Sequence, residues 1–239
     1  SVAGSSYHSP SGACVVDLDE DGDLEFCVSW GYSDADGVYA YSWDGATLTT
    51  LDMYDGTGVT FVYDIYTCDY DDDSHPEVLI ANDPNTGGIH VSALGWNPLT
   101  SSFVFETSWT CPTGSGYSVP MVWSGDVDND GKTEVIADVS NLDYATAGTW
   151  ALNWDNTSKI WTGVPVWTSY PAGTTVFGDG VGDVDGDGTP EIGVGSYGGT
   201  PGGGGSVSRF GRCGHGSAFG YDGWQNQCDP QGTGKRLAR

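Results

Sequence analysis

Apolar residues along this chain arrive in short bursts, β-branched or alternating with polar neighbours as half-buried strands require. The bursts come in pairs. The stretches 13–16 (ACVV), 65–68 (IYTC), 121–125 (MVWSG) and 176–182 (VFGDGVG) each run into an acidic segment. The stretches 26–30 (FCVSW), 78–82 (VLIAN), 135–139 (VIADV) and 192–196 (IGVGS) each follow one. Each acidic segment therefore joins two predicted strands. A third and a fourth strand follow a Gly-containing turn in 37–51, 88–106 and 148–161.

The acidic segments are DLDEDGDLE from Asp17, DYDDDSHPE from Asp69, DVDNDGKTE from Asp126 and DVDGDGTPE from Asp183, with starts 52, 57 and 57 residues apart. Four strands per repeat of this length mark a β-propeller blade. The prediction is an all-β propeller of four blades in a circularly permuted frame. Residues 1–16 complete the blade begun at Asp183, pairing the two termini and leaving no open sheet edge. Composition agrees: 38 Gly and 11 Pro among 239 residues, with few Leu, Lys, Gln or Met, starve helices and supply turns. With 10 Trp and 13 Tyr the chain has the material of a packed core rather than of a disordered acidic tail. Trp43, Trp96 and Trp154 recur at similar places in the repeats, as packing between blades would require.

Charge divides the chain in two. The net charge is -26, yet residues 209–239 hold five bases against Asp222 and Asp229, so residues 1–208 carry -29. The expected organisation is a four-repeat body over 1–208 and a cationic, Gly-rich segment over 209–239 that either closes the last blade or acts as an assembly arm. A nucleic-acid partner is excluded for want of Lys and Arg. No apolar run is long enough for a membrane helix, and the opening SVAGSSYHSP has no leader-like pattern, so the chain reads as matured. The six cysteines, Cys14, Cys27, Cys68, Cys111, Cys213 and Cys228, form no CxxC pair or zinc spacing, and disulfides in an oxidising compartment are expected. Cys14 and Cys27 flank the first acidic segment on paired strands, and Cys213 with Cys228 would close the tail. The sequon at Asn156 is a candidate glycosylation site in a blade turn.

Within each acidic segment the acids fall at positions 1, 3, 5 and 9, with Gly at position 6 in three of the four. Alternate carboxylates on a tightly turned loop converge, and an all-oxygen set suits a hard cation such as calcium. The candidate ligands are Asp17, Asp19, Asp21 and Glu25; Asp69, Asp71, Asp73 and Glu77; Asp126, Asp128, Asp130 and Glu134; and Asp183, Asp185, Asp187 and Glu191. The carbonyl at position 7, which is Asp23, His75, Lys132 or Thr189, completes each set. That gives up to four calcium ions. These are not EF-hands, because position 12 is Val28, Ile80, Ala137 or Val194, each in a predicted strand. The loops hold 19 of the 33 acids, which repel one another unless a cation offsets them. The second loop, with Ser74 in place of Gly, is expected to be the weakest, partly compensated by Asp72.

These repeats resemble FG-GAP/VCBS-type propeller repeats, as found in integrin alpha subunits, some fungal lectins and many bacterial surface proteins. The best match is GTTVFGDGVGDVDGDGTPEIGVGSYGG, residues 173–199, with Phe177 and Gly178 as the Phe-Gly pair. The resemblance covers the chain except its cationic tail. It implies calcium held in the DxDxDG loop at a blade's outer hairpin by the residues named above, and propellers that usually have more than four blades.

No GxSxG, HExxH, P-loop or dinucleotide fingerprint is present, and His8, His75, His90 and His215 are scattered, so no catalytic constellation is expected. The expectation is a secreted, non-catalytic, calcium-binding propeller at the cell exterior or surface. It serves as a self-assembling structural subunit of a fibre or layer, in which the acidic body of one copy meets the cationic tail of the next head to tail. The alternative is a lectin or adhesion module with a glycan or protein ligand, for which the ten tryptophans are the motive.

Overall fold

The computed structural model describes residues 9–31, 37–59, 61–82, 88–112, 117–141, 147–167, 174–183, 186, 188, 190–198 and 206–212. Every regular element among them is a strand, and the strands form four antiparallel sheets in chain order. The first sheet is β1 (Ser9–Val16), β2 (Glu25–Gly31), β3 (Gly37–Trp43) and β4 (Leu48–Tyr54). The second is β5 (Val62–Cys68), β6 (Glu77–Asn82), β7 (Val91–Asn97) and β8 (Ser102–Trp109). The third is β9 (Tyr117–Gly125), β10 (Glu134–Asn141), β11 (Ala147–Asp155) and β12 (Ile160–Trp167). The fourth has three described strands, β13 (Thr174–Gly182), β14 (Glu191–Gly198) and β15 (Ser206–Arg212). β15 runs through Arg209, so the first residues of the cationic segment lie in a sheet.

The sheets stack in series through their first strands, β1 on β5, β5 on β9 and β9 on β13. Close approach at this seam depends on missing side chains: a Cβ at Gly12 would lie 2.6 Å from the Ile65 nitrogen, and one at Gly31 would strike the Val62 carbonyl. Strand alternation then gives the second and third sheets two buried faces. Cys27, Val38 and Ala40 of the first sheet pack with Val78, Ile80 and Leu94 of the second. The opposite face of the second sheet, with Leu79, Ala81 and Ala93, packs on Val135, Ala137 and Leu152 of the third. Ile136 and Ala151, on the far face of the third sheet, meet Val176, Ile192 and Val194 of the fourth. β6 is buried along its whole length because it is covered on both sides. Two side chains also tie neighbouring sheets by accepting backbone hydrogen bonds: Asp52 from Phe103 N at 2.8 Å and Asp64 from Val122 N at 3.5 Å.

The outer hairpins share a device. Near the end of the third strand a tryptophan is followed by an Asp or Asn, and that side chain caps the turn. Asp44 Oδ1 accepts from Ala46 N and Thr47 N, Asn97 Oδ1 from Leu99 N, and Asp155 Oδ1 from Thr157 N.

One expectation is overturned. β1 does not complete the last blade; it pairs with β2 from Val16↔Glu25 to Ser9↔Gly31. The cause is local: a nine-residue loop pinned by its own hydrogen bonds holds the strand before it against the strand after it. Residues 9–16 therefore do not belong to a closing blade, and the described sheets form an open series.

Candidate functional site

Each acidic loop, 17–25, 69–77, 126–134 and 183–191, joins the first strand of its sheet to the second. It thus sits at the seam-side hairpin, not at the outer hairpin that the family resemblance implied.

Three hydrogen bonds recur and explain the spacing. The carboxylate at position 1 accepts from the backbone N–H at position 6: Gly22 to Asp17 at 3.1 Å, Ser74 to Asp69 at 3.0 Å, Gly131 to Asp126 at 2.9 Å and Gly188 to Asp183 at 2.7 Å. The carboxylate at position 5 accepts from position 7, at 2.9 Å from Asp23, His75 and Lys132 alike. The glutamate at position 9 accepts from position 2: Leu18 to Glu25 at 2.9 Å, Tyr70 to Glu77 at 3.3 Å and Val127 to Glu134 at 2.9 Å. Position 6 is left-handed throughout, with φ of 93° at Gly22, 74° at Ser74, 88° at Gly131 and 86° at Gly188. Position 4 is left-handed too, at Glu20, Asp72, Asn129 and Gly186. This second turn was not read from the sequence, although Asn129 and Gly186 are the residues that favour it.

The outcome is convergence of positions 1, 3 and 9. Oxygens of Asp17, Asp19 and Glu25 lie within 4.8 Å of one another, as do those of Asp69, Asp71 and Glu77 and those of Asp126, Asp128 and Glu134. Asp21, Asp73 and Asp130 turn back onto their own loops, and their carboxylates do not join these groups. In the fourth loop Asp183 accepts from Gly188 N and also from Gly186 N, and Glu191 is buried, while Asp185 and Asp187 lie outside the described residues.

Electrostatics make these groups uncomfortable on their own. Burial, with neighbouring carboxylates adding to it, pushes Glu77 up to about 9 and Glu134 up to about 7, against the backbone hydrogen bond each accepts. Glu25 and Asp71 are raised for the same first reason. Asp17 Oδ1, Asp19 Oδ1 and Asp71 Oδ1 are buried with no hydrogen-bond partner. Buried, unpaired carboxylate oxygens aimed into an all-oxygen cluster fit a hard cation, which would replace both the missing hydrogen bonds and the missing counter-charge.

The loops also touch one another. His75 Nε2 lies 3.3 Å from Glu20 of the first loop, and the imidazole is raised by Glu20 and then Asp73. Asn156, the sequon residue, is exposed; its Nδ2 donates to the Asp71 carbonyl at 3.2 Å, and its Oδ1 accepts from Trp154 Nε1 at 3.1 Å. It thus braces the second loop against the third sheet. A further pair was also missed: Tyr70, at position 2, packs edge-on to Trp154 and Trp161 and donates to Glu106 at 3.0 Å. Position 2 being aromatic in this loop alone is the signal that could have found it.

Cys14 and Cys27 are directly opposed across β1 and β2, with their thiols hydrogen-bonded. These two, Cys68 and Cys111 are free thiols, and Cys213 and Cys228 lie outside the described residues.

Comparison with known proteins gives three results. Residues 69–137 match the family described as FG-GAP-like repeat. That span runs from the second acidic loop through the third and into β10. Among solved structures, one described as the structure of the Dos1 propeller is similar at 12% identity with a TM-score of 0.47, over 81% of this chain; the chain spans 45% of that structure. Curated protein sequences yield no match. Over residues 69–137 the family match agrees with the resemblance carried by the loops, and the acidic groups of these loops could hold metal ions.

Proposed function

We propose that this chain is a calcium-binding, non-catalytic structural module that works at the cell exterior or surface. The observation that carries the proposal is the threefold recurrence of an Asp, Asp, Glu oxygen cluster at positions 1, 3 and 9 of equivalent loops, with unpaired buried oxygens in two of them. The ion would be held by Asp17, Asp19 and Glu25, by Asp69, Asp71 and Glu77, by Asp126, Asp128 and Glu134, and in the fourth loop by Asp183, Asp185, Asp187 and Glu191. Its part is to neutralise carboxylates that the fold forces together. The chain's own residues shape the pocket: Gly22, Ser74, Gly131 and Gly188 turn the backbone, and the first carboxylate of each loop holds that turn. An FG-GAP-type repeat array supports a binding or structural role over a catalytic one, and such repeats are typical of extracellular and surface proteins. An oxidising exterior would also suit closure of a disulfide between the opposed Cys14 and Cys27.

A metal that binds only the folded state stabilises it by mass action. The expected outcome is calorimetric binding of up to four calcium ions and a melting temperature that falls by many degrees in a chelator. An identical melt with and without calcium would remove the proposal.

A further inference from the structure

Two bases stand among residues 1–208, Lys132 and Lys159, and the second of them reaches out of its own sheet. Lys159 closes the β11–β12 hairpin, where its N–H donates to the Asp155 carbonyl at 2.8 Å and its backbone is left-handed, with φ of 56°. From there its ammonium lies 3.9 Å from Oδ2 of Asp71 in the second acidic loop. It also donates to Asn156 Oδ1 at 3.2 Å and sits 5.7 Å from the centre of the Trp154 ring.

Asn156 Oδ1 accepts a second bond, from Trp154 Nε1, which orients the amide so that Nδ2 reaches the Asp71 carbonyl, 3.2 Å away. Trp154 in turn packs edge-on with Tyr70, ring centres 4.8 Å apart. One hairpin of the third sheet therefore holds two consecutive residues of the second sheet's loop: the ring at position 2, and both the carbonyl and the carboxylate at position 3.

The Asp71 carboxylate is drawn two ways. Its side chain is 13% exposed, and Oδ1 is buried with no hydrogen-bond partner. Asp71 belongs to the oxygen cluster with Asp69 and Glu77 proposed above to hold calcium, while its Oδ2 is the oxygen near Lys159. A cation in that cluster would share the carboxylate with a fixed ammonium, and like charges so close repel even in water-like surroundings. The equivalent hairpin of the second sheet offers no such pair of groups. Ser101 has the same left-handed backbone, with φ of 49°, and follows Trp96 at the distance in sequence at which Lys159 follows Trp154; Pro98 stands where Asn156 does.

We propose that Lys159, steadied by Trp154 and Asn156, is the built-in counter-ion of the second acidic loop. It pairs with Asp71 when no metal is bound, and it lowers that loop's calcium affinity below what its carboxylates alone would give. The inference rests on the calcium reading and adds the residue that sets one site apart from its repeats.

The test is peptide-resolved hydrogen exchange across a calcium titration of the full chain, unaltered and as Lys159→Met and Lys159→Arg. Peptides covering 17–25, 69–77 and 126–134 give each loop its own calcium midpoint. Methionine keeps an apolar stem over Trp154 and removes the charge. Because Lys159 is 62% exposed, a modest effect is expected: in Lys159→Met the 69–77 midpoint falls by about threefold to tenfold, and the other two stay. Without calcium, exchange of 69–77 should be faster in that variant than in the unaltered chain. Lys159→Arg, which keeps the charge, should leave the 69–77 midpoint near the unaltered value. A 69–77 segment that gains no affinity in Lys159→Met, while the other two loops still bind calcium, overturns the proposal and leaves the calcium reading standing. Equal shifts at all three loops also overturn it, since the charge then acts on the acidic body at large. No response to calcium at any loop overturns both.

Discussion

Asp64 sits in the seam between the second and third sheets, where burial pushes its carboxyl up to about 6 despite the hydrogen bonds it accepts from Val122 and Ile65. A raised value in the fold means that the neutral form is the favoured one. Its contribution is fully present below about pH 4 and is lost as pH rises through about 6. Asp64→Asn keeps an acceptor for Val122 and removes the ionisation. The variant should match the unaltered chain near pH 4 and exceed it by on the order of 2 kcal/mol at pH 8, read from paired denaturant melts. Equal gaps at the two pH values would show that the carboxyl does not titrate in the seam. Nothing in the sequence marks Asp64: it stands in a run of alternating residues, and its burial follows only from where β5 meets β9.

At the scale of the loop, two substitutions separate ion binding from loop architecture. Asp128→Asn keeps an oxygen able to accept from Asp130 N, so the calcium-free melt should hold while the calcium-induced gain shrinks. Glu134→Ala strands the buried Val127 N–H and should cost about 1–3 kcal/mol even without calcium. Equal losses from both changes in calcium-free melts would contradict this division of labour. The spacing of these loops was fully legible, because four copies in register show which positions must be acidic. Which carboxylates converge was not: Asp21, Asp73 and Asp130 share the alternation with their neighbours, yet the left-handed turns at positions 4 and 6 rotate them onto backbone N–H groups. Trp43, Trp96 and Trp154 were legible as interface residues; Trp96 and Trp154 pack between sheets, whereas Trp43 is about half exposed.

At the scale of the whole molecule, the four-strand unit was readable from the 52- and 57-residue spacing, whereas the frame was not. Ring closure would hide sheet edges by placing residues 1–16 in the far blade, but the short loop at 17–25 decides the pairing of residues 9–16 locally. That same locality bears on how quickly the chain becomes itself. Every acidic loop closes a hairpin between strands adjacent in sequence, an encounter that needs little loop entropy and is opposed chiefly by like charges. An ion that quenches the repulsion acts on the earliest contacts, so refolding in stopped-flow should accelerate with calcium, while unfolding slows less. A rate independent of calcium would place ion capture after the barrier. An ion engaged early would make the calcium level of the surroundings set how fast the chain folds, because without it the acidic segments repel one another.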